Sequence, residues 1–259
     1  MWPSATEVKD ECFKTSYHLS PVTCQLSMFS DIFLDFDDTL YDTHDNANIA
    51  LRELFDKMDF GRWFPDPEVF YTEYWLANID LWTRYSRGEI TRDYLIVERF
   101  RHPLSCGEGC EPTEQYCRQV GDVFLDLCSN KPGLVDGAQE LRDYLRARGY
   151  RLHMCSNGFH EVQYKKLRAC GLYDYFDTII LSEDAGANKP SPAFFDYAFK
   201  VSKADPANTI MIGDNLTTDI LGARAAGLPT IFFNRFPEHP SHGEANYEVT
   251  ALAQIMQIL

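Results

Sequence analysis

Residues 31–43, DIFLDFDDTLYDT, set four carboxylates into eight positions around an apolar run: Asp31, Asp35, Asp37 and Asp38. The run reads as a buried strand over 31–35 that delivers its acids to one end. Like charges this close repel, so they share either protons or a cation. Which of the two applies depends on what other segments bring to the same place.

The 259 residues, 45% hydrophobic, suffice for a full core in one large domain or two modest ones. No run of eighteen apolar residues appears, and the N-terminus lacks the basic patch and apolar stretch of a secretory signal, so the expectation is a cytoplasmic protein with no membrane partner. A formal charge of −15 argues against DNA or RNA as partners, because phosphodiester backbones need a surface rich in Lys and Arg. A small phosphorylated metabolite is compatible if a metal and one or two lysines reverse the field locally. The eight cysteines are scattered in a long chain without an export signal and read as free thiols. Cys106, Cys110 and Cys117 lack the paired spacing of a zinc knuckle. Cys155 reads as a small buried residue ending a strand.

Residues 1–27 show neither helical nor strand periodicity and are expected to be a loose, disordered extension, Met28 being a natural start. From there short apolar runs alternate with amphipathic helices, the pattern of an α/β fold with a Rossmann-like parallel sheet. Strands are expected at 31–35, 151–155, 178–181, 209–213 and 229–233. Helix-length segments lie between them: GAQELRDYLRARG, EVQYKKLRACG, PAFFDYAFKV and DILGARAAG. Residues 36–150 separate the first two strands, far more than the roughly dozen a simple crossover needs. An inserted α-helical domain over 44–130 is implied, between core segments 28–43 and 131–259. Ala47, Leu51, Leu54 and Met58 recur at helical spacing within it, as do Tyr116, Val120, Val123 and Leu127.

Ligands of open parallel sheets bind at the carboxyl ends of the strands. Asp35 and Asp37 lie at such an end, and three more ends bring Ser156 and Asn157 (HMCSNG), Lys189 (GANKPSP), and Asp214 and Asp219 (IMIGDNLTTD). This ordered set, DxDxT, Ser-Asn after a strand, Lys in KPSP and GDxxxxD, resembles the haloacid dehalogenase (HAD) superfamily of phosphohydrolases over residues 30–235. The resemblance implies a HAD-like core with a helical cap inserted after the first motif. Asp35 is then the nucleophile that forms an aspartyl-phosphate. Asp37 is the general acid and base. Asp35, the Asp37 main-chain carbonyl and Asp214 would bind Mg²⁺. Ser156, the Asn157 amide and Lys189 would hold the phosphoryl oxygens, with Asp219 supporting metal-bound water or the lysine.

Asp37 also separates branches, since halide displacement from carbon needs no leaving-group acid. The aromatic segment EVFYTEYWLANIDLWTRYSRGE carries no lysine of the kind phosphonate-cleaving relatives use. The core segments following Asn157 and Gly213 resemble the branch of pyrimidine 5'-nucleotidases that hydrolyse noncanonical nucleotides. The expected activity is therefore a Mg²⁺-dependent phosphatase acting on small phosphomonoesters, with a nucleoside 5'-monophosphate foremost, in a monomer or homodimer. Alternatives are a sugar-phosphate or phosphoglycolate phosphatase, a phosphomutase, or a non-enzymatic binding protein of the same fold. Phe70, Tyr71, Tyr74, Trp75, Trp82 and Tyr85 are expected chiefly to pack the insert.

Overall fold

A computed structural model describes residues 29–236 and 242–259, so the extension expected over 1–27 lies outside the described residues. Strand β1 (Asp31–Leu34) runs through a six-stranded parallel sheet of order β3-β2-β1-β4-β5-β6. Its neighbours are β2 (Arg151–Ser156) and β4 (Thr209–Gly213), flanked by β3 (Thr178–Leu181) and β5 (Thr230–Phe233), with β6 (Tyr247–Val249) at one edge. Leu34 lies opposite both Met154 and Ile212, so the three central strands reach their carboxyl edge together.

Alternation along the strands assigns the two faces. Ile32 and Leu34 join Leu152, Met154, Ile210 and Ile212 in a core closed by Leu141 and Leu145 of α5 (Ala138–Ala147), Leu167 of α6 (His160–Ala169) and Leu252 and Ile255 of α10 (Leu252–Ile258). Phe33 points the other way, joining Ile180 and Met211 against Phe194, Phe195 and Ala198 of α8 (Pro192–Ser202) and Ala223 of α9 (Gly222–Ala225). A short α7 (Ser182–Ala185) follows β3. Burial on both faces is why these strands read as unbroken apolar runs. Cys155 is buried in the second core, as expected of a strand end. The cysteines at 106, 110, 117, 128, 155 and 170 are free thiols.

Several boundaries differ from the sequence reading, for local reasons. The amide of Asp35 still donates to the Ile212 carbonyl (2.9 Å), although β1 proper stops at Leu34. β2 runs one residue further, to Ser156. The strand expected from Pro229 begins at Thr230, because proline has no N–H for the ladder. β6 was not anticipated, being three residues long with two exposed. The helix expected from Asp219 is instead a π-helical turn (Leu216–Leu221) leading into α9. Asn215 starts that turn early, its side chain accepting from the amides of Thr217 (3.1 Å) and Thr218 (3.0 Å).

Four α-helices stand between β1 and α5: α1 (Thr43–Lys57), α2 (Pro67–Ser86), α3 (Arg92–Ser105) and α4 (Glu114–Ser129). Each starts on a side-chain cap, supplied by Asp42, Asp66, Thr91 and Thr113, and α2 adds a proline in its first turn. They close a separate core around Leu51, Leu54, Phe70, Tyr74, Phe100, Val120 and Phe124. The seam of α4 is Cys117, Val120, Phe124 and Cys128, with Val123 and Leu127 only partly buried. Its two thiols pack as small apolar groups, which displaces the stripe by about one residue from the expected one. Among the described residues no helix is long and apolar enough to cross a membrane.

The two chain crossings between helices and sheet run side by side. Asp42 N donates to Gly133 O (3.1 Å), Val135 N donates to Leu40 O (2.9 Å), and Tyr41 and Leu134 form an antiparallel bridge. The Asn46 side chain grips Gly133 from both sides, at 2.8 and 3.2 Å, and a Cβ on Gly133 would fall 2.4 Å from Asn46 Oδ1.

Leu141 is fully buried beneath the sheet. Leu141→Ala is expected to destabilise the protein by about 2–5 kcal/mol, read as a lower urea midpoint at unchanged slope.

Candidate active site

A cavity of about 420 Å³ opens at the carboxyl edge of the sheet, between the sheet and the four inserted helices. Asp35, Asp37, Ser156, Asn157, Lys189, Asp214 and Asp219 all line it. Seven residues picked from four separate segments of sequence are thus brought together.

Lys189 organises them. Its ammonium donates to Asp35 Oδ1, to Asp219 Oδ1 and to the Cys155 carbonyl, each at 2.6 Å, which uses all three N–H bonds. Burial would lower its proton affinity, but the Asp219 and Asp35 carboxylates outweigh burial and keep it charged. The loop carrying it is clamped by Asn157, whose Oδ1 accepts from Lys189 N (2.8 Å) and whose Nδ2 donates to Lys189 O (2.9 Å). The Asn157 side chain is therefore committed to placing the lysine, leaving its main-chain amide as the group that was expected to face a ligand.

Asp219, the last residue of GDxxxxD, is held by Lys189 on one oxygen and by the Asn215 amide (3.1 Å) on the other. It packs so tightly that a Cβ on Gly213 would lie 2.3 Å from its Oδ2, which accounts for the glycine before Asp214. Thr39, the threonine of DxDxT, donates to Asp214 Oδ1 at 2.8 Å and lies 3.3 Å from Asp35 Oδ2, linking the two carboxylates.

Oxygens of Asp35, Asp214 and Asp219 lie within 4.8 Å of one another. One lysine does not balance that charge. Burial raises the Asp35 carboxyl to about 7 despite the opposing pull of Lys189, and the charges of Asp219 and Asp37 add to the rise. Burial likewise drives Asp214 well above the usual carboxylate range, helped by Asp35, Asp219 and Asp38. An all-oxygen, over-charged cluster has the donor chemistry of a hard divalent cation site. Because Asp219 is already engaged on both oxygens, Asp35 and Asp214 are the side chains with capacity to hold one. Among the described residues no backbone amide donates to the Asp37 carbonyl, while the neighbouring Phe36 carbonyl accepts from both Leu40 and Tyr41. That fits a carbonyl kept for a cation.

The Asp37 carboxylate sits in a different environment. It accepts from Lys166 Nζ, from Gln163 Nε2 and from Thr43 Oγ1 (2.6 Å). Burial alone would raise it, but the Lys166 charge and these hydrogen bonds hold it below the ordinary range. Gln163 also donates to Ser156 Oγ (2.7 Å), which accepts from Gly158 N (3.0 Å) as well and so keeps its own proton to donate. Lys166 and Gln163 were not foreseen from sequence. They lie three residues apart on one face of α6, the only pattern that points to them. Asp38, at φ 57°, accepts from His44 N (2.9 Å) and pairs with Arg235, as befits a turn residue.

The insert forms the opposite wall. Phe70, Tyr71, Tyr74 and Trp75 pack the helical core as expected, and Tyr74, Trp75 and Trp82 also line the cavity. Trp82 packs on Phe159 of the sheet domain, with ring centroids 5.3 Å apart.

The family model for haloacid dehalogenase-like hydrolases matches residues 32–227. This chain is a haloacid dehalogenase-like hydrolase. The HAD-hydrolase YfnB of Bacillus subtilis is 32% identical to it over 238 residues, covering 90% of this chain and 97% of that protein. Pyrimidine 5'-nucleotidase YjjG of Escherichia coli is 30% identical over 234 residues, covering 88% and 96%. The crystal structure of YfnB bound to magnesium matches this hydrolase with a TM-score of 0.78 at 30% identity, over 89% of this chain and 98% of that one.

Two outcomes follow from this geometry. A Cβ on Gly158 would fall 1.8 Å from Gln163 Nε2. Gly158→Ala is therefore expected to displace Gln163 and cut turnover by on the order of tenfold or more while the fold persists, checked by kinetics beside circular dichroism. In chelator, the native state binds a proton at Asp35 between the ordinary 3.8 and about 7 that the unfolded chain has released. That contribution makes stability fall as pH rises through the window. Denaturant midpoints at pH 5 and pH 8 are expected to show the fall, reduced in Asp35→Asn.

Proposed function

We propose that this hydrolase is a Mg²⁺-dependent phosphomonoesterase working through an aspartyl-phosphate, with nucleoside 5'-monophosphates as its foremost substrate class. The observation that carries the reading is the pairing of two aspartates two residues apart in opposite environments. Asp35 lies in the over-charged cluster with Lys189 and Asp214, whereas Asp37 is set against Lys166.

The phosphoryl group would enter beside Ser156 and the Asn157 amide, which donate to its oxygens and hold phosphorus in line with Asp35, with Lys189 next to it as a fixed positive charge. Mg²⁺, held by Asp35, Asp214 and the Asp37 carbonyl, would neutralise the charge that otherwise keeps dianion and nucleophile apart. Asp35 attacks phosphorus, the ester oxygen leaves with a proton from Asp37, and an acyl phosphate forms on Asp35. The free site favours ionised Asp37, the form that takes a proton from water in the second half. Entry of a phosphate dianion raises its proton affinity by like-charge repulsion and prepares the acid form for the first half. The four inserted helices serve as the cap, excluding bulk water and contacting the leaving group.

The nucleotide class is supported by YjjG, a pyrimidine 5'-nucleotidase at 30% identity. Sugar phosphates are the competing class, because a glyceraldehyde 3-phosphate phosphatase of Methanothermobacter thermautotrophicus is 28% identical over 237 residues. A panel of phosphomonoesters with Mg²⁺, read as free phosphate, ranks the two. Asp35→Asn is expected to abolish phosphate release. Asp37→Asn is expected to slow both half-reactions by roughly 10²- to 10⁴-fold with Mg²⁺ binding retained. Full turnover in Asp37→Asn would remove the acid/base role, and Mg²⁺-independent release would remove the metal.

A further inference from the structure

Arg99 lies on α3 and lines the same cavity as Asp35 and Lys189. It is only 3% exposed. Among the described residues the other buried Lys or Arg side chains, Lys166 and Lys189, are each paired with carboxylates. Arg99 differs: its Nε and Nη2 atoms are buried and have no hydrogen-bond acceptor. The Phe100 and Phe124 rings, 5.5 and 5.3 Å from the guanidinium carbon, offset part of the charge but accept no hydrogen bond. A buried, unpaired guanidinium is costly to keep. It persists where something outside the chain completes it.

The form of that missing partner can be read from the two orphaned atoms. Nε and Nη2 share one edge of the guanidinium, and their N–H bonds run parallel, matched to two acceptor atoms side by side. A second orphan, the acceptor Asn78 Oδ1 on α2, is also buried without a partner and lines the same cavity.

We infer that Arg99 is the specificity residue of this site, its Nε/Nη2 edge receiving two coplanar acceptor atoms on the part of the substrate remote from the transferred phosphoryl group. This rests on the phosphomonoesterase reading above. Two substrate types carry such a pair. A carboxylate presents two oxygens. The edge of a cytosine base presents O2 and N3, and adds an amino N–H that would satisfy Asn78 Oδ1. A uracil edge places an N–H where the fork needs an acceptor and is disfavoured.

The test compares phenyl phosphate, which has no second polar group, with CMP, UMP and 2-phosphoglycolate, using wild type, Arg99→Met and Arg99→Lys in Mg²⁺. In Arg99→Met, kcat/KM for the preferred acceptor-bearing substrate, taken as a ratio to that for phenyl phosphate, is expected to fall roughly 10- to 100-fold, chiefly through KM. Arg99→Lys restores the ratio only in part, lacking the fork. The thermal midpoint of Arg99→Met is expected to equal or exceed that of wild type, because an uncompensated charge has been removed. A wild-type preference for CMP over UMP, lost in Arg99→Met, identifies the base edge, and preference for 2-phosphoglycolate identifies the carboxylate. An unchanged ratio in both variants, with phenyl phosphate still hydrolysed, overturns the role of Arg99 alone, as does a lowered midpoint with an unchanged ratio. Wild-type inactivity on every phosphomonoester overturns the site reading and this inference together.

Discussion

One ammonium group holds the site together. Lys189 reaches from the loop beyond β3 to Asp35 after β1, to the last turn of β2 through the Cys155 carbonyl, and to Asp219 after β4. Four segments far apart in sequence are fixed by three hydrogen bonds of 2.6 Å in a buried setting, where charge-assisted bonds are strong and an unpaired ion is costly. The parallel sheet supplies the meeting place, since β1, β2 and β4 end in register. The charge of the cluster is unbalanced: one fixed positive charge stands among three carboxylates.

Two acids separated by a single phenylalanine are driven apart in character by what surrounds them. The Asp35 carboxyl is raised towards neutrality by burial, while Asp37, more open to solvent, is held ionised by Lys166 and its hydrogen-bond donors. In a continuing strand residues two apart would share a face; the two acids separate because the chain leaves β1 at Leu34 and turns, the Phe36 carbonyl accepting from Leu40 and Tyr41 and Asp38 taking a positive φ. Gln163 joins the two halves, touching both Asp37 and Ser156.

The strand ends were legible in the sequence because unbroken apolar runs stopping at Asp, Ser or Gly mark the edge of a buried parallel sheet. So was the existence of a helical insert, from the length between β1 and β2. The supporting contacts were not. In the pair Lys165 and Lys166 nothing local says which lysine is solvated; only the docking of α6 places Lys166 beside Asp37 and leaves Lys165 at the surface with Asp126. Thr39 was part of the motif, yet its bond to Asp214 spans 175 positions of chain. The π-helical turn escaped detection because its cause is a set of side-chain bonds to Asn215 and Asp219, which no periodicity records. The seam of α4 shifted because cysteine served as a packing residue.

The paired crossings at Tyr41 and Leu134, locked by Asn46 on Gly133, bear on how the helices are held against the sheet. Two ribbons bonded to each other bend together far more readily than they twist or slide independently. The double connection holds the four helices as one wall, Tyr74 and Trp82 included, over the acids at the sheet edge. The joint that sets the two walls of the cavity opposite each other thus lies outside the cavity lining itself.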